Sequence, residues 1–185
     1  MRAAPLALAL LLAAPAARAG TFSLRSSDIP AGGAIPLRQV YDGFGCTGGN
    51  VSPALRWSEP PAGTRSFALL VHDPDAPTGG SGWWHWLVLD LPATLRALPA
   101  GAGRPDGSAL PSAARQIRTD YGTPGWGGPC PPVGDKPHRY VFNLHALKVP
   151  KLELPAGASA ALAGYLVNAN SLGSATLIGT YGRSR

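Results

Sequence analysis

Two carboxylates sit two residues apart in a segment with two prolines, Asp73-Pro-Asp-Ala-Pro77, between an apolar run, Phe67-Ala-Leu-Leu-Val71, and a second one, Gly82-Trp-Trp-His-Trp-Leu-Val88. The first run reads as a buried strand. Each proline fixes its own φ and holds the residue before it near extended geometry, so Asp73 and Ala76 are both restricted. The aspartates are thereby held in place at low entropic cost. After a Gly-rich turn the chain re-enters a strand carrying His85 among three tryptophans. A period of two puts His85 on one face with Trp83, Leu87 and Leu89, and turns Trp84, Trp86 and Val88 to the other. A histidine on an apolar face needs a partner, and the nearby aspartates are the obvious candidates.

The first residues do not belong to that framework. Met1-Arg2 is a short positive start, residues 6–14 are an Ala/Leu-rich apolar run, and Ala17-Arg-Ala19 matches an A-x-A cleavage site. The pattern predicts a signal peptide over 1–19 and a single domain over 20–185, exported to the periplasm or the exterior. The apolar run is shorter than the ~20 residues a spanning helix needs, so no transmembrane span is expected in the mature chain. The formal charge of the 185-residue chain is +6, and losing Arg2 and Arg18 leaves +4. The remaining Lys and Arg are scattered rather than clustered, which argues against a nucleic-acid partner. Export also gives meaning to the two cysteines, Cys46 and Cys130, each in a Gly-rich loop. In an oxidising compartment a lone pair is expected to be bridged. A two-cysteine metal site is the weaker reading, because neither has close Cys or His companions.

Along the rest of the chain, short extended pieces over 21–40 are broken by Pro30, Gly32, Gly33 and Pro36. Residues 41–53 read as a loop, 55–57 as a short strand, 93–112 as a surface connection and 115–118 as another short strand. Residues 122–134 form a rigid Gly/Pro loop. The next strong strand, 138–149, alternates His138, Tyr140, Phe142, Leu144 and Ala146 against Arg139, Val141, Asn143, His145 and Leu147. Ser159 is a plausible N-cap for a helix over 160–167, and a last strand spans 175–181. Many short strands, Gly/Pro turns and one late helix predict an all-β antiparallel sandwich or barrel.

Both His85 and His138 open a strand after a Pro/Gly loop, and Asp73 and Asp75 come from a third rigid segment. Their convergence beside Pro131 and Pro132 would make a small polar site in aromatic walls. Such a site can bind an anion through imidazolium and loop N–H donors. It can also be a two-His, one-carboxylate metal site, an acid/base pair, or simply satisfied core histidines. His72 and His145 lack the loop context and read as surface or structural. No G-x-S-x-G is present and neither cysteine has a neighbouring base, so no catalytic residue is assigned and no cofactor or metal is expected.

At these residues the sequence resembles the phosphatidylethanolamine-binding protein family. The matching stretches are Asp73-Pro-Asp-Ala-Pro77, Gly82-Trp-Trp-His-Trp86, Gly128-Pro-Cys-Pro-Pro132 with His138-Arg-Tyr140, and Asn50-Val-Ser-Pro53 with Leu55 and Trp57. The Trp-Trp-His-Trp form and the closing Tyr-Gly-Arg183 are similar to the bacterial YbhB/YbcL, or Raf-kinase-inhibitor-like, branch. The resemblance implies a β-sandwich with Greek-key strands and a short C-terminal helix. It also implies a pocket for phosphate, phosphorylated head groups or other anions. That pocket would comprise Asp73, Trp83, His85, Pro131, Pro132, His138 and Tyr140, with Asp75 supporting the loop. Two departures stand out. Trp84 replaces a second histidine common in eukaryotic members, which is expected to change the pocket wall. Cys130 replaces a glycine, which can tie the rim to the Cys46 loop. The expected protein is a non-enzymatic binder of a small anion. The alternatives are an interaction module inhibiting a hydrolase or kinase, its protein partner unknown, and a weak His/Asp hydrolase.

Overall fold

The computed structural model describes residues 20–184, so the expected signal peptide lies outside the described residues. Ten strands and one helix follow in order: β1 (Ser23–Ser26), β2 (Asp42–Gly43), β3 (Cys46–Thr47), β4 (Leu55–Ser58), β5 (Ser66–Asp73), β6 (Trp83–Pro92), β7 (Ala97–Leu98), β8 (Arg115–Gln116), β9 (His138–Leu147), α1 (Ala160–Asn170) and β10 (Ser171–Tyr181). The large sheet has the order β10-β9-β5-β6-β8 and the small sheet the order β1-β4-β7. All strand pairs are antiparallel. Within the large sheet β5, β6 and β8 run side by side and β9 returns beside β5, the Greek-key order.

The large sheet is apolar on both faces. Its inner face packs Phe67, Leu69, Val71, Trp86, Phe142 and Leu144 against Leu24, Leu55, Trp57 and Leu98 of the small sheet. Its outer face packs Ala68, Leu70, Leu87 and Leu89 against Ala160, Ala163 and Val167 of α1. A strand buried on both faces reads as an unbroken apolar run rather than an alternation, as β5 does. The Ser159 hydroxyl accepts a hydrogen bond from the Leu162 N–H and caps α1, which runs three residues beyond the expected end.

Two expectations need correction. The first concerns the faces of β6. Register slips by one residue between Val71–Trp86 and His72–Trp84, leaving His85 without a partner on β5, a β-bulge. Beyond this extra residue the alternation inverts. Trp86 and Val88 therefore join the inner core on the side of His85, while Leu87 and Leu89 join Trp84 on the outer face. A second slip places Asp90 at φ 60°; its carboxylate accepts from the Leu152 N–H at 2.8 Å and from Arg115 Nε at 2.7 Å. The second correction concerns 93–112, which is not merely a surface connection. It contributes β7, and Leu98 and Ala102 are buried in the inner core. A two-residue strand has no period to read. The 41–53 loop likewise contains the small hairpin β2–β3.

Candidate functional site

One cavity of about 240 Å³ opens at the end of the large sheet where β5 finishes and β6 and β9 begin. Asp73, Trp83, His85, Pro131, Pro132, His138 and Tyr140 all line it, so seven of the eight residues expected at the site converge there. Asp75, the eighth, stands behind the wall. Its carboxylate takes Arg139 in a fork, with Nε–Oδ2 at 2.9 Å and Nη2–Oδ1 at 2.7 Å, and also accepts the Arg139 N–H. The Arg139 hydrogen bonds hold the Asp75 carboxyl well below the usual carboxylate range. This ties the Asp-Pro-Asp loop to the start of β9.

Asp73 and His138, 3% and 2% exposed, form a buried pair with Nδ1–Oδ2 at 2.8 Å. The other Asp73 oxygen accepts the Asp75 N–H at 2.8 Å, an Asx turn made possible by the proline between them. On its far side His138 presents Nε2 3.5 Å from the half-exposed Asp135. Asp73 thus orients His138, and His85 is held by something else. Its Nδ1 lies 2.6 Å from the Gly127 carbonyl, which can only accept, so Nδ1 carries a proton. Burial lowers the His85 pKa from 6.5 to about 4, against the opposing effect of the Gly127 bond. The ring is neutral at physiological pH, and its Nε2 is an acceptor with no partner. The expectation of two imidazolium donors is therefore corrected: desolvation outweighs the distant carboxylates at His85.

Trp83 Nε1 and Tyr140 Oη are also buried and unpartnered. The Tyr140 phenol is pushed well above its ordinary pKa by burial and by Asp73, and Tyr121 is raised mainly by burial, so both stay protonated. Tyr121 and Phe44 complete the aromatic wall and carried no motif in the sequence. Tyr121 meets Trp83 and His85 edge-on, at 5.5 and 5.6 Å, and stacks on Phe44 at 5.8 Å. A Cβ on Gly127 would strike the Tyr121 ring, so only glycine lets that ring and the His85 clamp coexist. Phe44 is exposed at the rim, in a two-residue turn where it and Gly45 take φ 52° and 78°. Cys46 and Cys130 are joined, with Cα atoms 6.0 Å apart, and carry the Phe44 hairpin to the cavity. Arg183 reinforces that tie by donating to the carbonyls of Gly45 and Pro131, at 2.6 and 3.3 Å.

Trp84 does not change the cavity wall as expected. Alternation turns it away from Trp83 and His85 to the outer face, where it packs at 4.3 Å on His72 and lines the groove beneath α1 with His145. Neither His72 nor His145 reaches the cavity. Among the described residues no group of three or more His, Cys, Asp or Glu side chains is arranged to hold a metal ion. No helix among them is long and apolar enough to cross a membrane.

A Greek-key β-sandwich with one small cavity at a sheet end, walled by aromatic rings and unpartnered polar atoms, defines an all-β ligand-binding domain. The chain belongs to the phosphatidylethanolamine-binding protein family, whose model matches residues 25–182. It is 51% identical over 165 residues to the UPF0098 protein YbcL of Escherichia coli, covering 89% of this chain and 90% of that one. It is 47% identical over 154 residues to the UPF0098 protein YbhB of the same organism, covering 83% and 96%. The solved structure of E. coli YbcL superposes with a TM-score of 0.84 at 50% identity, over 87% of this chain and 98% of that one. A Mycobacterium tuberculosis protein named as the lipoprotein LppC is 35% identical over 167 residues, 90% of this chain and 75% of that one.

Proposed function

We propose that this chain is an exported binding protein whose cavity takes phosphate, a phosphorylated head group or another small anion, without turnover. One observation carries the reading: Trp83 Nε1, His85 Nε2 and Tyr140 Oη are all buried, all unpartnered and all in the wall of one cavity. A buried polar group left unpaired costs roughly 1–3 kcal/mol, so three together ask for a polar guest. A volume of about 240 Å³ lies below the usual range for drug-sized ligands and suits a head group. Hydrolysis is less well supported. The lining has no serine or free thiol, and Thr78 already donates to the Gly82 carbonyl at 3.1 Å. Export rests on the amino-terminal pattern of residues 1–19 and on the lipoprotein name of one relative.

Titration with inorganic phosphate and with phosphoethanolamine, followed by NMR and calorimetry, tests the reading. Expected dissociation constants for the bare anion fall roughly in the micromolar to millimolar range, since few contacts must offset the association cost. His85→Ala and His138→Ala each weaken binding, while His145→Ala, on the outer face, leaves it unchanged. Cavity resonances unmoved at high ligand, or equal responses in all three variants, would defeat the proposal.

A further inference from the structure

The hydrogen-bonding roles around the cavity narrow the guest further, given the reading above that it takes an anion. Trp83 Nε1–H can only donate, and the Tyr140 hydroxyl can donate or accept. His85 Nε2 differs. The Gly127 carbonyl holds the proton of the ring on Nδ1, and a second proton would have to be buried without a paired carboxylate. From β5, Asp73 has both oxygens engaged, by His138 Nδ1 and the Asp75 N–H. The 119–127 segment presents the rings of Tyr121 and Trp126, at 5.6 and 6.4 Å, and β9 presents Tyr140 at 5.0 Å. His72 and Asp120 act only from a distance and in opposite senses, and Asp120 spends an oxygen on the Trp84 N–H. Asp135 faces His138 instead. Of these three atoms only His85 Nε2 is confined to accepting, by the proton that the Gly127 carbonyl holds on Nδ1, while Trp83 Nε1–H donates and Tyr140 Oη can do either.

A fully deprotonated oxyanion can only accept, and it would set an oxygen lone pair against Nε2. An oxyanion that keeps one O–H matches all three atoms at once. We propose that the cavity selects proton-bearing oxyanions, hydrogen phosphate or the monoanion of a phosphomonoester, with the ligand O–H donating to His85 Nε2. A phosphodiester, as in an intact phospholipid head group, has no such proton and is disfavoured.

Sulfate and hydrogen phosphate provide the cleanest comparison, because at about pH 8, above the second phosphate ionisation, they share charge and shape and differ by one proton. Calorimetric or NMR titration of the wild-type protein should find phosphate at least about tenfold tighter than sulfate. Phosphoethanolamine should likewise exceed its diester, glycerophosphoethanolamine, at about pH 5.5, where the monoester still holds a proton. His85→Gln, whose amide can also donate, should bring the phosphate-to-sulfate ratio towards one. Trp83→Phe should weaken both anions and preserve the ratio. Independently of any variant, the 15N shifts of His85 in the phosphate complex should keep Nε2 unprotonated. Equal affinity for phosphate and sulfate, or an imidazolium at His85 in the complex, overturns proton selection while leaving anion binding intact. Binding of neither anion defeats both readings.

Discussion

His85 and Asp75 impose pH dependence on the fold in separate ranges. The folded pKa of His85 lies near 4 against an ordinary 6.5, so between these values the unfolded chain binds a proton that the folded chain refuses. Stability contributed by the neutral ring is therefore complete above about pH 6.5 and is lost as pH falls towards 4. The loss is on the order of 3 kcal/mol. Asp75 is depressed, so its contribution is present above the ordinary carboxylate range and disappears only in stronger acid. Urea midpoints measured at about pH 7 and pH 4.5 should fall in wild type. The difference should shrink in His85→Gln, whatever that variant's stability at neutral pH. An unchanged pH slope in the variant would assign the acid sensitivity elsewhere. Phe44 shows strain of another kind: a bulky residue at positive φ costs roughly 1–2 kcal/mol, partly offset by its stacking on Tyr121.

At the level of elements, β6 does the positioning. Alternation turns Trp83 and His85 into the cavity and Trp84 towards α1, and the bulge after His85 brings Trp86 to the inner core, so one strand serves two cores. The 122–134 loop supplies the rest through Gly127, Pro131 and Pro132. Gly127→Ala should push Tyr121 aside and loosen the His85 clamp. The expected readout is weaker phosphate binding with a change in Tyr121 resonances, whereas a variant with wild-type affinity would show that the glycine is dispensable. The disulfide closes a separation of 84 residues, and in the chain-entropy model such a closure stabilises by about 4–5 kcal/mol. Replacing both cysteines by serine should lower the thermal midpoint accordingly. Arg183 still tethers the hairpin, so the cavity should persist in the folded variant. Ser159→Ala, which removes the cap of α1, should cost only about 1 kcal/mol by chemical denaturation.

For the whole molecule, the layers are small sheet, large sheet and helix, and the cavity occupies one end of the middle layer. The core beneath it places β5 and β9 side by side, so residues 65 positions apart, Asp73 and His138, become a bonded pair. Export should appear as removal of residues 1–19: N-terminal sequencing of protein recovered from the native envelope should begin at Gly20. Mature protein retaining Met1 would contradict that.

Part of the cavity was legible because its motifs are local, whereas Trp83 and Tyr140 came only with the family resemblance. Asp73-Pro-Asp, the strand-opening His85 and His138, and the Pro131–Pro132 pair each carry a backbone constraint that spacing alone reveals. Alternation along β9 was equally legible, and its two faces are as the period of two requires. Tertiary structure decided what no local pattern encodes. A bulge is a mismatch between two strands, so the inverted faces of β6 beyond His85 depend on β5 as much as on β6 itself. The partner of Asp73 and the tautomer of His85 are set by a carboxylate pairing across 65 residues and a carbonyl 42 residues away. Phe44 and Tyr121 reach the cavity only because a disulfide and ring packing bring separate loops together. Side-chain chemistry and strand period are properties of neighbours in sequence, whereas burial, and with it the charge a histidine can carry, is a property of neighbours in space.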